Sequence, residues 1–294
     1  MCFLRKGANK INIAVIGGDK REEYLINYLA SMGYQLSVLT DKKIKHKNVS
    51  SFSRLNDFLK DADVVIAPMS STDSDGYLKS TFVQEMIKLD EAFFSQLKEG
   101  CLFLIGILKE DIKETIKKYS IKYYELAKLE DLAIMNAIPT AEGAIKIAIE
   151  ETDITLYNSK ILTYGLGKVG LSLVWRLKQL GAKTYAVTRD KGAIARGKDL
   201  GIKMIDYDEL QHFLPKMDII YNTVPIQIID YESILLMKKG AIIIDLASAP
   251  GGVDFQAAEE FSVKAIQALG LPGKIAARSA SKILADIIPE LINE

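Results

Sequence analysis

The stretch Gly165-Leu166-Gly167-Lys168-Val169-Gly170 is the part of the chain best suited to chemistry. It follows the apolar run Lys160–Tyr164 and opens a helical pattern over Val169–Leu180. In that setting Gly165 permits a tight turn and Gly167 lets the backbone reach a pyrophosphate. Gly170 lets the helix pack close to the strand, and the N–H groups of Lys168 and Val169 open the helix towards negative charge. The plain alternative is a glycine turn that holds no nucleotide. The kind of nucleotide is read about 20 residues further on, where an acidic residue would take the ribose of NAD. Here the second strand, Thr184–Val187, ends in Thr188-Arg189. A hydroxyl and a guanidinium suit a 2′-phosphate, Lys191 adds charge, and Asp190 can cap the next helix. NADP is therefore the expected cofactor. Asn222-Thr223-Val224-Pro225 follows the fourth strand and is expected near the adenosine and ribose side. Leu246-Ala247-Ser248 follows the fifth and is expected near the nicotinamide. For both loops ordinary turn chemistry is the competing reading.

What the chain lacks narrows the chemistry. Its two histidines are His46, in the basic run Lys42–Lys47, and His212, in a helical stretch. Neither follows a strand, so a hydroxy-acid dehydrogenase that moves its proton through histidine is disfavoured. No Cys/His spacing suggests a metal, and none is expected. The remaining candidates are Glu142, at the start of a connecting helix, and Ser70, Ser71 and Thr72, on a loop at a strand's C-terminal end. Arg278, opening the last helix, completes the set. Each has a structural reading: a carboxylate complementing a helix dipole, hydroxyls capping a helix, a solvated guanidinium. Gly17-Gly18-Asp19 repeats only part of the glycine pattern. Asp19 would repel phosphate, so this is read as a turn.

The elements that must position these residues are short apolar strands alternating with amphipathic helices, which gives parallel sheets covered on both faces. The first half shows strands at 11–16, 35–40, 63–67, 101–105 and 122–125, with Phe82–Leu97 mainly helical. Pro139 breaks the chain, and Thr140 is positioned to cap a helix from Ala141 to Glu151. Six strands follow, near 160–164, 183–188, 202–205, 218–222, 241–245 and 263–266, the full set for a dinucleotide-binding fold. The expected fold is therefore two α/β domains. Residues 1–140 form a flavodoxin- or Rossmann-like substrate domain, 141–275 a Rossmann domain with its connecting helix, and 276–294 a helix that packs back on the first.

With 294 residues, two domains of ordinary size are expected. Thirty-eight basic residues balance 38 acidic ones, so nothing draws the chain to nucleic acid or an anionic membrane. The basic run Lys42–Lys47 is read as a solvated loop. No signal-peptide stretch opens the chain and no segment of about 18 apolar residues is expected, which points to the cytoplasm. Cys2 and Cys101 are not expected to form a disulfide. The oligomeric state is left open.

Three segments carry a resemblance. Asn136–Gly143 (NAIPTAEG), Ile244–Phe255 (IDLASAPGGVDF) and Gly270-Leu271-Pro272-Gly273 are similar to the dipicolinate synthase A-subunit family, as are Ala14–Asp19 and the turn at Gly165. The similarity runs over essentially the whole chain. It implies a dehydrogenase-like subunit that oxidises a dihydrodipicolinate-type intermediate of the lysine pathway to dipicolinate in the mother cell of sporulating bacteria. It also implies a partner, the smaller, flavoprotein-like B subunit. Where the family carries Pro-Lys after the last glycine-rich turn, this chain has Ala277-Arg278. Aromatising a dihydropyridine dicarboxylate releases a hydride and a proton, which fits a site without histidine. On this expectation NADP⁺ takes the hydride across an interdomain cleft and Glu142 takes the proton. The Ser70–Thr72 loop and Arg278 hold the carboxylates. Two alternatives stand beside it: another NADP-dependent two-domain dehydrogenase, and a non-catalytic NADP-binding subunit.

Overall fold

The computed structural model describes residues 11–294, and contacts divide it into two units. Unit 1 combines the chain up to Ala133 with Ala277–Glu294, and unit 2 is Ile134–Ala276.

Unit 1 contains β1 (Asn12–Val15), α1 (Lys20–Ser31), β2 (Gln35–Leu39), β3 (Val49–Phe52), β4 (Val64–Ile66), α2 (Glu91–Phe94), β5 (Leu102–Ile105), α3 (Glu110–Lys118) and β6 (Lys122–Glu125). Its strands pair in parallel in the order β3-β2-β1-β4-β5-β6. Alternate side chains of a strand face opposite sides, so each central strand feeds two cores. Ala14, Val65 and Phe103 join Phe93, Phe94, Ile112 and Ile116 on one face. Ile13, Val64 and Leu104 join Leu25, Leu29, Leu284 and Ile288 on the other. The last two come from the final helix of the chain (Ala277–Ile292), which lies against α1 within this unit.

Two features of unit 1 depart from the sequence reading. β3 is an additional edge strand; its sequence VSSF is too polar to stand out as a buried run. Phe82–Leu97 is not mainly helical. Leu78 N–H bonds the Ile87 carbonyl at 2.8 Å, Leu89 N–H bonds the Gly76 carbonyl at 3.1 Å, and the helix is confined to α2. Phe82, Ile87 and Leu89 are nonetheless buried, so the loop satisfies by burial the apolar spacing that mimics a helix.

A third departure is α4 (Glu130–Glu151), which runs straight through Pro139 instead of starting at Ala141. Proline removes one N–H from the helix ladder, at a cost of about 3 kcal/mol. Thr140 is therefore no cap; its hydroxyl donates to the Asn136 carbonyl at 2.7 Å. Burial holds the helix together on both sides of the proline, through Leu132 in unit 1 and Ala141, Ala144 and Ala148 in unit 2. By length and composition α4 is also apolar enough to cross a membrane, where no such segment was expected. Those buried alanines give its apolar face a packing role, and Glu142, Lys146 and Glu150 are exposed.

Unit 2 continues with β7 (Lys160–Tyr164), α5 (Lys168–Gln179), β8 (Lys183–Val187), α6 (Lys191–Asp199), β9 (Lys203–Met204), α7 (Leu210–Phe213), β10 (Ile219–Asn222), α8 (Tyr231–Leu235), β11 (Ile242–Asp245), α9 (Phe255–Glu260), β12 (Lys264–Gln267) and α10 (Leu271–Ile275). The final helix, α11, returns to unit 1. All six strands are parallel, in the order β12-β11-β10-β7-β8-β9. The order reverses between β7 and β10, and a crevice opens at such a switch point beyond the carboxyl ends of the strands. Cys101 is a buried free thiol, and burial pushes it up to about 12, which keeps it protonated and unreactive. Cys2 lies outside the described residues.

Candidate active site

In unit 2 the glycine turn occupies one side of the switch point, and its three glycines are held by different constraints. Gly165 adopts φ +83°, and a Cβ there would meet the Thr223 hydroxyl at 2.5 Å. Thr223 donates to the Tyr164 carbonyl at 2.9 Å, locking the turn to the loop after β10. A Cβ on Gly170 would overlap the Gly165 carbonyl oxygen and come within 3.0 Å of its carbon. Gly167 is different. Its φ of −70° suits any residue, and a Cβ would meet nothing within 4 Å. It is the N-cap of α5 and no side chain caps that helix. With no side chain at Gly167 and no side-chain cap on α5, the start of the helix leaves room for an anion beside its first-turn backbone, the setting a pyrophosphate needs.

At the end of β8, Asp190 caps α6 by accepting from Ala193 N–H at 2.6 Å, and its own N–H reaches the Thr188 hydroxyl at 3.3 Å. One carboxylate oxygen of Asp190 thereby serves as the helix cap. Lys191 is the first residue of α6. Arg189 is exposed, with its guanidinium carbon 5.0 Å from the centre of the Tyr207 ring.

The loops after β10 and β11 are joined by an internal polar network. Asn222 and Asp245 are completely buried. The Asp245 carboxylate accepts from Asn222 Nδ2 at 2.8 Å and from the N–H groups of Ala247 and Gly252, each at 3.1 Å. Asn222 in turn exchanges 3.0 Å bonds with both backbone groups of Val224. The chain Leu246-Ala247-Ser248 and the cis bond Ala249–Pro250 lie in the loop so held. A Cβ on Gly252 would overlap Asn222 Nδ2, so that glycine is required by the network. Sequence reasoning missed Asp245 as the organiser of this loop. The signal was present: an acidic residue ending the otherwise apolar strand Ile242-Ile243-Ile244, followed by Gly251-Gly252.

In unit 1 the turn Gly17-Gly18-Asp19 also ends a strand next to a switch point. Asp19 caps α1, accepting from Arg21 N–H at 2.8 Å, and Glu22 closes a capping box from the Asp19 N–H at 2.8 Å. Glu22 is 1% exposed and also takes the Met69 N–H at 2.9 Å. Burial pushes its carboxyl up, against the opposite pull of Arg21 and those two N–H groups. The end of α1 is thus filled by the protein's own carboxylates, in contrast to the uncapped α5.

The Ser70–Thr72 loop is engaged within unit 1. Ser70 donates to the Lys79 carbonyl at 2.9 Å, Ser71 accepts from Ile107 N–H at 2.7 Å, and Thr72 is buried and bridged to Leu78. None of the three caps a helix. Arg278 is exposed on α11 and hydrogen-bonded to Tyr28 of α1. Among the described residues no bond joins Arg278 to the Ser70–Thr72 loop. Glu142 stands in the middle of α4 and not at a helix start, so dipole complementarity does not apply to it. It is 60% exposed and has Arg176 Nε 3.8 Å away. No cluster of metal-ligating side chains occurs among the described residues.

A two-unit α/β protein whose second unit is a Rossmann domain with an open, uncapped glycine turn belongs to the class of NAD(P)-binding, dehydrogenase-like proteins. Two family models agree with the division. Residues 12–127 match the N-terminal domain of the dipicolinate synthase A-subunit, and residues 140–261 match the NAD-binding domain of D-isomer specific 2-hydroxyacid dehydrogenases. The chain is 31% identical to the dipicolinate synthase A-subunit of Bacillus subtilis (strain 168) over 97% of its own length and 96% of the relative's. The crystal structure of the dipicolinate synthase A-subunit from Bacillus halodurans matches with a TM-score of 0.91 at 31% identity, covering 97% of this chain and 99% of that one. A transhydrogenase from Sinorhizobium meliloti shares the fold, with a TM-score of 0.69 at 18% identity over 96% and 93% of the two chains. The chain belongs to the dipicolinate synthase A-subunit family.

Proposed function

We propose that the protein is the dehydrogenase-like subunit of a dipicolinate synthase, oxidising a dihydropyridine dicarboxylate to the aromatic dicarboxylate in the cytoplasm of a sporulating mother cell. In this reading NADP⁺ is the oxidant and accepts the hydride. The observation that carries it is the division of labour in the glycine turn: Gly165 and Gly170 are pinned by contacts, while Gly167 opens onto an uncapped helix. Such an opening suits the anionic pyrophosphate of a dinucleotide, and membership of the family supplies the substrate class.

The chain's own residues have separable tasks. The N–H groups of Lys168 and Val169 bind the pyrophosphate. Thr188, Arg189 and Lys191 take the 2′-phosphate, since Arg189 and Lys191 place positive charge after β8 while Asp190 Oδ1 caps α6. Asn222–Pro225 and Leu246–Ser248 form the walls towards the ribose and nicotinamide, held rigid by Asp245. Arg278, exposed and with no carboxylate partner among the described residues, is assigned to a substrate carboxylate, together with hydroxyls of the Ser70–Thr72 loop. Glu142 is assigned the proton released on aromatisation; its long contact with Arg176 leaves it able to exchange partners. A flavoprotein-like second subunit is the proposed partner.

Arg189→Ala tests the choice of nucleotide. A hydrogen bond to a charged group is worth about 1.5–3 kcal/mol, so NADPH affinity should fall about 10- to 100-fold while NADH affinity is nearly unchanged. Equal losses for the two nucleotides in a calorimetric titration would overturn the assignment.

A further inference from the structure

We propose that Tyr207 is a positioning residue for nucleotide selectivity: its ring is a fixed shelf that holds the Arg189 guanidinium ready for the 2′-phosphate. This rests on the NADP reading above and extends it to a residue in a different segment of the unit. Arg189 follows β8, whereas Tyr207 follows β9 in a short turn, Tyr207–Glu209. That turn is tied down locally: Glu209 N–H bonds the Asp206 carbonyl at 3.0 Å, and the Glu209 carboxylate accepts from Asp206 N–H at 3.4 Å. The Tyr207 ring is half-buried and packs on the core that contains Tyr164, Val187 and Ile205. It is therefore immobilised from behind, and its outer face meets the Arg189 guanidinium 5.0 Å from the ring centre.

Two further observations give this contact a purpose. Among the described residues Arg189 has no hydrogen bond and no carboxylate partner, so its forked N–H groups are not used by the protein itself. Burial also pushes the Tyr207 hydroxyl above its ordinary value, although Arg189 pulls it down. The ring stays a neutral phenol, and the guanidinium's charge remains available for an anion. A free arginine side chain has several rotatable bonds to order on binding. Stacking on a fixed aromatic face removes part of that cost before the phosphate arrives. NAD, which has a hydroxyl at the same place, gains nothing from it.

The test is titration of NADPH and NADH, followed by nucleotide fluorescence, against the full chain and its variants. Tyr207→Leu removes the shelf and should weaken NADPH about two- to fivefold, the range of an exposed cation–π contact, while leaving NADH unchanged. Tyr207→Phe keeps the ring and should retain parental affinity for both. In an Arg189→Ala background Tyr207→Leu should have no further effect. Should Tyr207→Leu fail to fold, Tyr207→Met gives the same comparison with more volume retained. Equal weakening of NADPH and NADH would show Tyr207 to be a structural residue and overturn the proposal. So would a Tyr207→Phe variant as weak as Tyr207→Leu, since the hydroxyl would then be the active group. If Arg189→Ala itself weakens both nucleotides equally, the NADP reading fails first, and that result is distinguishable from a failure confined to Tyr207.

Discussion

Placing the same side chain at two glycines of one turn separates binding from stability. At Gly170 a valine Cβ overlaps the Gly165 carbonyl oxygen, a backbone atom that cannot rotate away. The helix must lift from the strand, and overpacking of this kind costs about 1–3 kcal/mol. At Gly167 the backbone already has an ordinary φ and the space is empty, so Gly167→Val should cost less than about 1 kcal/mol, mainly as a poorer helix cap. Its effect on nucleotide is far larger. The valine occupies the approach to the N–H groups of Lys168 and Val169. Losing two hydrogen bonds to a charged group, at about 1.5–3 kcal/mol each, removes about two to four orders of magnitude in affinity. Trp175, the single tryptophan, lies on α5 directly after the turn. Its fluorescence in urea reports the stability of unit 2, and NADPH titration gives the affinity. A Gly167→Val variant that binds within threefold of the parent would refute the reasoning. So would a Gly170→Val variant as stable as Gly167→Val.

Three other outcomes are expected. Arg278→Ala should raise KM for the dicarboxylate with NADP affinity unchanged, and a change in nucleotide affinity alone would count against its assignment. Glu142→Gln should lower kcat with little effect on KM; an unchanged kcat removes it as the proton acceptor. Glu125 ends β6 with its side chain 9% exposed. Burial would raise its carboxyl, but Lys128, the Leu108 N–H and Lys113 outweigh this and hold it below its ordinary value. Glu125→Gln should therefore cost about 1–2 kcal/mol at neutral pH. The folded value lies below the unfolded one, so this contribution is complete above about pH 5 and is lost as pH falls through the folded value. Urea midpoints for parent and variant should converge as the pH falls into the acid range; a gap that does not narrow in acid would contradict the pairing.

The architecture was legible because its signals are periodic. Runs such as Ile242–Asp245 and Leu102–Ile105 are buried on both faces and read as strands without ambiguity. The glycine turn was legible because GxGxxG stood between a strand and a helix, and contacts with Thr223 and with the Gly165 carbonyl hold Gly165 and Gly170 there. β3 was not, since an edge strand needs no apolar run. Pro139 misled because a local cost of a few kcal/mol is invisible to local rules once burial on both sides outweighs it. The surroundings of the residues proposed for the substrate were the least legible. Ser70, Ser71 and Arg278 were chosen for their positions in the chain, but the bonds that engage them come from Lys79, Ile107 and Tyr28, residues well separated in sequence. Asp245 shows the converse: its role depends on Asn222 and Gly252 converging in space.

The most direct measurement mixes the dihydropyridine dicarboxylate with NADP⁺ and the full chain, with and without the second subunit, and follows two absorbances together. Dipicolinate and NADPH should rise in a 1:1 ratio, and Gly167→Val should abolish both. Dipicolinate formed without NADPH, or no turnover in either mixture, would contradict the proposal that this chain oxidises its substrate by passing a hydride to NADP⁺.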